Sequence, residues 1–104
     1  MYEAELNLAL QAAREAGDYL RRREDIHIDG QAGKDIKLSS DKRSEKMIID
    51  RLAQTGIPVL AEESGRHAGR DTKGLLWIID PLDGTANYLK GLMELACVSV
   101  ALWK

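Results

Sequence analysis

Trp77-Ile78-Ile79-Asp80-Pro81-Leu82-Asp83-Gly84-Thr85 is the stretch on which the fold and the chemistry turn. The apolar run at residues 75–79 reads as a short buried strand that delivers Asp80 at its C-terminal end. The five residues that follow are turn chemistry, with Pro81 fixing the backbone and Gly84 releasing it. Taken singly, each acid here is an ordinary turn former. Together, a buried strand, two acids three apart, a glycine and a hydroxyl make a strong signal. Strand ends and the loops leaving them are where open α/β sheets place ligand sites. Hard divalent cations take carboxylate, carbonyl and water oxygens, and such a turn aims Asp80, the Leu82 carbonyl and Asp83 into one small volume. Two such ions about 4 Å apart, sharing a bridging carboxylate, are typical of phosphate-ester hydrolysis.

Upstream, residues 57–61 read as a second short buried strand running into Glu62-Glu63-Ser64-Gly65, with a polar loop at 66–74. Residues 95–103 form a third strand, apolar on both alternating faces apart from Ser99, a pattern that belongs inside a covered sheet. Residues 3–23 have helical periodicity, with Leu6, Ala9, Leu10, Ala13, Ala16, Gly17 and Leu20 on one stripe. Arg21-Arg22-Arg23 then stand at a helix C-terminus, where they oppose the dipole from a solvated face. Between residues 24 and 40, Ile26/Ile28 and Ile36/Leu38 flank Gly30 and Gly33 as two extended pieces around a turn. A second helix is predicted over residues 41–54, capped by Ser40 or Asp41, with Met47, Ile48, Ile49, Leu52 and Ala53 buried. From the residues alone, Asp41 is a helix cap, Lys34 a solvated lysine, and His27 and His67 loop or surface groups.

The chain of 104 residues suits one compact unit. Charged residues at 31% beside 44% apolar ones exclude disorder, and a net charge of −2 makes nucleic acid a poor partner. Phe is absent, so the core rests on Leu, Ile, Val, Ala and Met. The single cysteine, Cys97, excludes an intrachain disulfide framework and reads as a buried structural thiol. Glu3, Glu5, Arg14 and Glu15 interrupt any signal-peptide core, and no apolar run is long enough to span a bilayer. A cytoplasmic location with no membrane partner is the expectation.

These residues are similar to a known family. Residues 77–85 resemble the W-x-x-D-P-x-D-G-T signature of the inositol monophosphatase family of Mg²⁺-dependent, lithium-sensitive phosphatases. Ala61-Glu62-Glu63-Ser64 resembles its G-E-E-S segment, and Asp35-Ile36-Lys37-Leu38-Ser39-Ser40-Asp41 its D-x-V-T-x-x-D segment. The resemblance implies the N-terminal part of the layered αβαβα sugar-phosphatase fold: α+β, two helices on a largely antiparallel sheet, incomplete. It implies that Glu62, Asp80 and the Leu82 carbonyl bind one Mg²⁺ and that Asp80 and Asp83 hold a second. Asp41 and Thr85 would orient and deprotonate the attacking water, with Glu62 also in the catalytic set, and the Gly84 and Thr85 N–H groups would receive phosphate oxygens. The substrate class is a phosphorylated polyol or sugar, and Asn87-Tyr88 resembles the inositol monophosphatase branch. Glu63 stands beside Glu62 as a supporting or surface group. Ala61 in place of glycine, and Lys37-Leu38 in place of Val-Thr, depart from the family pattern.

The resemblance covers residues 1–104 but only about the first two-fifths of such an enzyme, so the expectation is weak metal binding with little turnover by the chain alone. Self-association through exposed strand edges is also expected. Two alternatives stand beside it. One is an inactive fragment that acts only in folding or self-association. The other is a haloacid-dehalogenase-like phosphatase with Asp80 as nucleophile, although its acids are separated by one residue rather than two.

Overall fold

A computed structural model describes residues 2–24, 26–32, 35–70 and 73–104; for 29–32 and 35–37 it describes the backbone alone. Lys34 and the side chain of Asp35 therefore lie outside the described residues.

Helix α1 spans Glu3–Arg21 and helix α2 spans Ser39–Leu52, which runs into a 3₁₀ turn at Ala53–Thr55. Between the helices, β1 (Ile28–Ala32) and β2 (Asp35–Leu38) form the expected antiparallel hairpin. A four-stranded sheet follows from β3 (Val59–Ala61), β4 (Gly65–His67), β5 (Leu76–Asp83) and β6 (Cys97–Trp103), in the order β4-β3-β5-β6. Only β3 and β5 are parallel; β3–β4 and β5–β6 are antiparallel. A one-turn helix, α3 (Thr85–Leu89), leaves the end of β5.

Both long helices cover one face of this sheet. Ala9, Ala12 and Ala16 of α1 meet Ile48 and Leu52 of α2 over Trp77 of β5. The alanines have no long side chain to hold the helices apart, so α1 and α2 approach closely over the sheet. Complete burial of Ile48 and Leu52 contributes about 1.5–3 kcal/mol for each side chain. Trp77 keeps its indole N–H satisfied by donating to Thr55 Oγ1 at 3.1 Å, as a buried indole requires. A second cluster, Tyr19, Leu20, Leu38, Leu82 and Tyr88, joins the end of α1 to α3.

Several expectations are corrected here. The buried stripe of α1 is rotated from the one anticipated: Ala12 and Tyr19 are in, whereas Leu6 and Leu10 remain 59% and 42% exposed. The apolar stripe of α1 is wider than the face the sheet and α2 can cover. Strand β6 is half open rather than buried on both sides, because among the described residues no helix lies on its outer face; Leu60, Ile78 and Trp103 are exposed on that same side. Residues 66 and 67 of the expected polar loop, with Gly65 before them, pair with β3 as β4. Helix α2 starts two residues early, so Asp41 is its third residue and not its N-cap. Arg22 and Arg21 do sit in solvent, paired with Glu24 and Asp18, but Arg23 turns inward.

Candidate active site

Parallel pairing of β3 with β5 is what gathers the acids. Ala61 lies opposite Ile79, so the next residue of each strand, Glu62 and Asp80, emerges at the same C-terminal edge. Strand β5 then does something a simple turn does not. It continues through Pro81 to Asp83, contrary to the turn expected there, with an irregularity: Asp80 pairs Ser99 and Asp83 pairs Cys97. Three steps on β5 thus match two on β6, the signature of a β-bulge, where the missing Pro81 N–H costs the ladder nothing. Pro81 and Leu82 are consecutive buried residues, and Asp80 and Asp83 project on the outer side with Ile78.

Burial and like charge meet at Asp80. Burial, then a hydrogen bond and repulsion from Glu62, then the charge of Asp83 together push its carboxyl up to about 6, against the opposing Leu82 N–H. That N–H donates to Asp80 Oδ1 at 3.2 Å. The Thr85 hydroxyl donates to the Leu82 carbonyl, also at 3.2 Å. Gly84 lies at φ 86, and a Cβ there would stand 2.5 Å from the Leu95 carbonyl oxygen, so only glycine fits.

Helix α2 braces both acidic loops from the core side. Ser44 Oγ donates to the Pro81 carbonyl at 2.8 Å. Its neighbour Glu45 accepts the Glu63 N–H at 2.8 Å. Asp41 Oδ2 accepts the Leu38 N–H at 2.8 Å, which ties the start of α2 to the end of β2. All three side chains are almost fully buried. Ser44 and Glu45 carry no mark in the sequence, where polar residues of an amphipathic helix read as its solvated side. Ser64 and His67 pair at 2.5 Å across the β3–β4 turn, while His27 is exposed. Glu63 takes part through its backbone.

Cys97 is exposed, not buried as expected, because β6 presents it on the open face. Its thiol lies 3.8 Å from Asp83 Oδ2, and desolvation followed by the charge of Asp83 raises its pKa. Among the described residues, no three His, Cys, Asp or Glu side chains are gathered tightly enough to hold a metal as they stand. The donor chemistry nonetheless fits a hard divalent cation: three carboxylates and a carbonyl at one edge of the sheet. No helix among the described residues is long and apolar enough to cross a membrane.

Comparison with known proteins agrees with this architecture. Residues 1–104 match the profile of the inositol monophosphatase family. "Nus factor SuhB" of Pasteurella multocida is 39% identical over 103 residues, covering 93% of this chain and 38% of that protein. The extragenic suppressor protein suhB of Bartonella henselae superposes with a TM-score of 0.86 at 33% identity, over 96% of this chain and 40% of its own. An inositol monophosphatase from Anabaena gives 0.72 at 32%, over 96% and 35%. The chain thus spans about two-fifths of the length of these relatives and shares the first layers of their fold. The haloacid-dehalogenase alternative finds no support among these matches. On a family profile that matches all of residues 1–104, the chain belongs to the inositol monophosphatase family.

Proposed function

We propose that this chain forms the metal- and phosphate-handling part of a phosphate-monoester hydrolase acting on an inositol phosphate or a similar sugar or polyol phosphate. The observation that carries the proposal is the convergence of Glu62, Asp80 and Asp83 at one sheet edge, two of them aligned by the bulge. Glu62, Asp80, Asp83 and the Leu82 carbonyl would hold Mg²⁺. Bound there, Mg²⁺ would neutralise charge on phosphoryl oxygens and make water acidic enough to serve as nucleophile. Gly84 and Thr85 offer backbone N–H groups to the phosphate at the start of α3. Thr85 and Asp41 orient and accept the proton of the attacking water, so no covalent nucleophile is needed.

The test is a chimera in which this chain replaces the matching 35% of the Anabaena enzyme. It should release phosphate from an inositol monophosphate in a Mg²⁺-dependent, lithium-sensitive way, while the chain alone shows little turnover. A folded chimera with no phosphatase activity would overturn the proposal. The name Nus factor, carried by the sequence relatives, favours a second reading in which the protein acts by association rather than turnover. An Asp80→Asn variant separates them: it should end hydrolysis and leave an associative role intact.

A further inference from the structure

Arg23 is the one member of the triple-arginine run that leaves solvent. Its backbone sits at φ 52, the left-handed region that glycine usually takes just after a helix. A non-glycine residue there is strained, and what the strain accompanies is a half-buried reach across the fold. Nη1 donates to the Tyr88 carbonyl at 2.5 Å and lies 3.4 Å from Met93 Sδ; Nη2 donates to the Leu89 carbonyl at 3.4 Å. The guanidinium carbon stands 4.7 Å from the centroid of the Tyr88 ring, a favourable cation–π distance. In return, the Tyr88 hydroxyl donates to the Leu20 carbonyl at 2.6 Å. Three hydrogen bonds therefore join the end of α1 to the end of α3, two from Arg23 and one returned by Tyr88, which is only 1% exposed.

Helix α3 has five residues, too few to hold its own position in water. Its first turn begins at Gly84 and Thr85, directly after Asp83, and the Tyr88 N–H bonds back to the Gly84 carbonyl at 2.9 Å. Whatever fixes its far end therefore fixes the turn at residues 83–85. We infer that Arg23 is a positioning residue: its guanidinium locks the end of α3 to α1 and so holds Asp83, Gly84 and Thr85 in place beside Asp80 and Glu62. The inference rests on the proposed function for the meaning of that placement, but not for the latch itself.

The experiment compares the chain with its Arg23→Gly and Arg23→Lys variants by amide hydrogen exchange and by Mn²⁺ titration followed by electron paramagnetic resonance. Glycine relieves the backbone while removing the latch. Exchange at the Tyr88 amide should quicken about tenfold in Arg23→Gly, with core amides of α2 unchanged, and the Mn²⁺ dissociation constant should rise about tenfold. Lysine should restore less than half of either effect, since an ammonium cannot span two carbonyls and lie flat on a ring. Unchanged exchange at Tyr88 in Arg23→Gly would overturn the latch. Faster exchange with unchanged Mn²⁺ affinity would overturn its link to the site. If the parent chain takes up no Mn²⁺, the proposed function fails, and the exchange arm still decides the latch. Should Arg23→Gly not fold, Tyr88→Phe removes the reciprocal bond alone and should show the same pattern at smaller amplitude.

Discussion

Asp80 and Asp83 stand three residues apart on one strand and yet face the same side of the sheet. In a regular strand, an odd separation puts two side chains on opposite faces. The extra residue between them, matched by only two steps on β6, resets that alternation. Glu62 arrives at the same edge from the parallel neighbour. Their proximity predicts a hierarchy of effects on Asp80. Glu62→Gln should bring its titration down from about 6 toward the ordinary carboxylate value, and Asp83→Asn should do so less. Carboxyl carbon shifts followed against pH by NMR would report both; an unmoved midpoint in Glu62→Gln would contradict the packing described.

The same raised value fixes a pH dependence. Asp80 titrates at about 6 folded, against 3.8 for an ordinary aspartate, so the folded chain binds more protons between those limits. Its contribution to stability is fully present below about 3.8 and is lost as pH rises through 6. A bound cation reverses the balance, because proton and metal compete for the same oxygens. Mn²⁺ affinity should therefore climb as pH rises from 5 to 7, by up to about tenfold per unit for one displaced proton. Titrations at several pH values check this, with affinity independent of pH as the opposing result.

Gly84→Ala should destabilise the chain by about 1–3 kcal/mol. The new Cβ meets both an unfavourable φ of 86 and the Leu95 carbonyl oxygen. For a chain of this size that corresponds to a fall in melting temperature of roughly 4–8 °C per kcal/mol, measurable by circular dichroism.

Glu45 separates acceptor from charge. Glu45→Gln keeps an oxygen for the Glu63 N–H and should cost little. Glu45→Ala strands that N–H and leaves a cavity, at about 1–3 kcal/mol. Ser44→Ala, which loses the bond to Pro81, should cost about 1 kcal/mol. Denaturant unfolding ranks the three.

Much of this was legible in the one-dimensional pattern. The buried strand that delivers Asp80, the hairpin between the helices and the placement of Glu62 follow from local chemistry and spacing. The bulge does not, since Pro81-Leu82-Asp83 reads equally well as a turn; only pairing with β6 decides it. Nor does the burial of Ser44 and Glu45, because polar residues on a helix face the core only where a neighbouring loop needs a donor or acceptor. Cys97 and the stripe of α1 misled for a related reason. Alternation and periodicity say which residues share a face, and not whether anything covers it.

The central claim is that Glu62, Asp80 and Asp83 act together on a divalent cation. Its most direct measurement is Mn²⁺ titration of the chain against a Glu62→Ala/Asp83→Ala double variant, with folding of both checked by circular dichroism. Saturable uptake by the parent chain that disappears in the double variant is the predicted result. Equal affinity in the two proteins would contradict it.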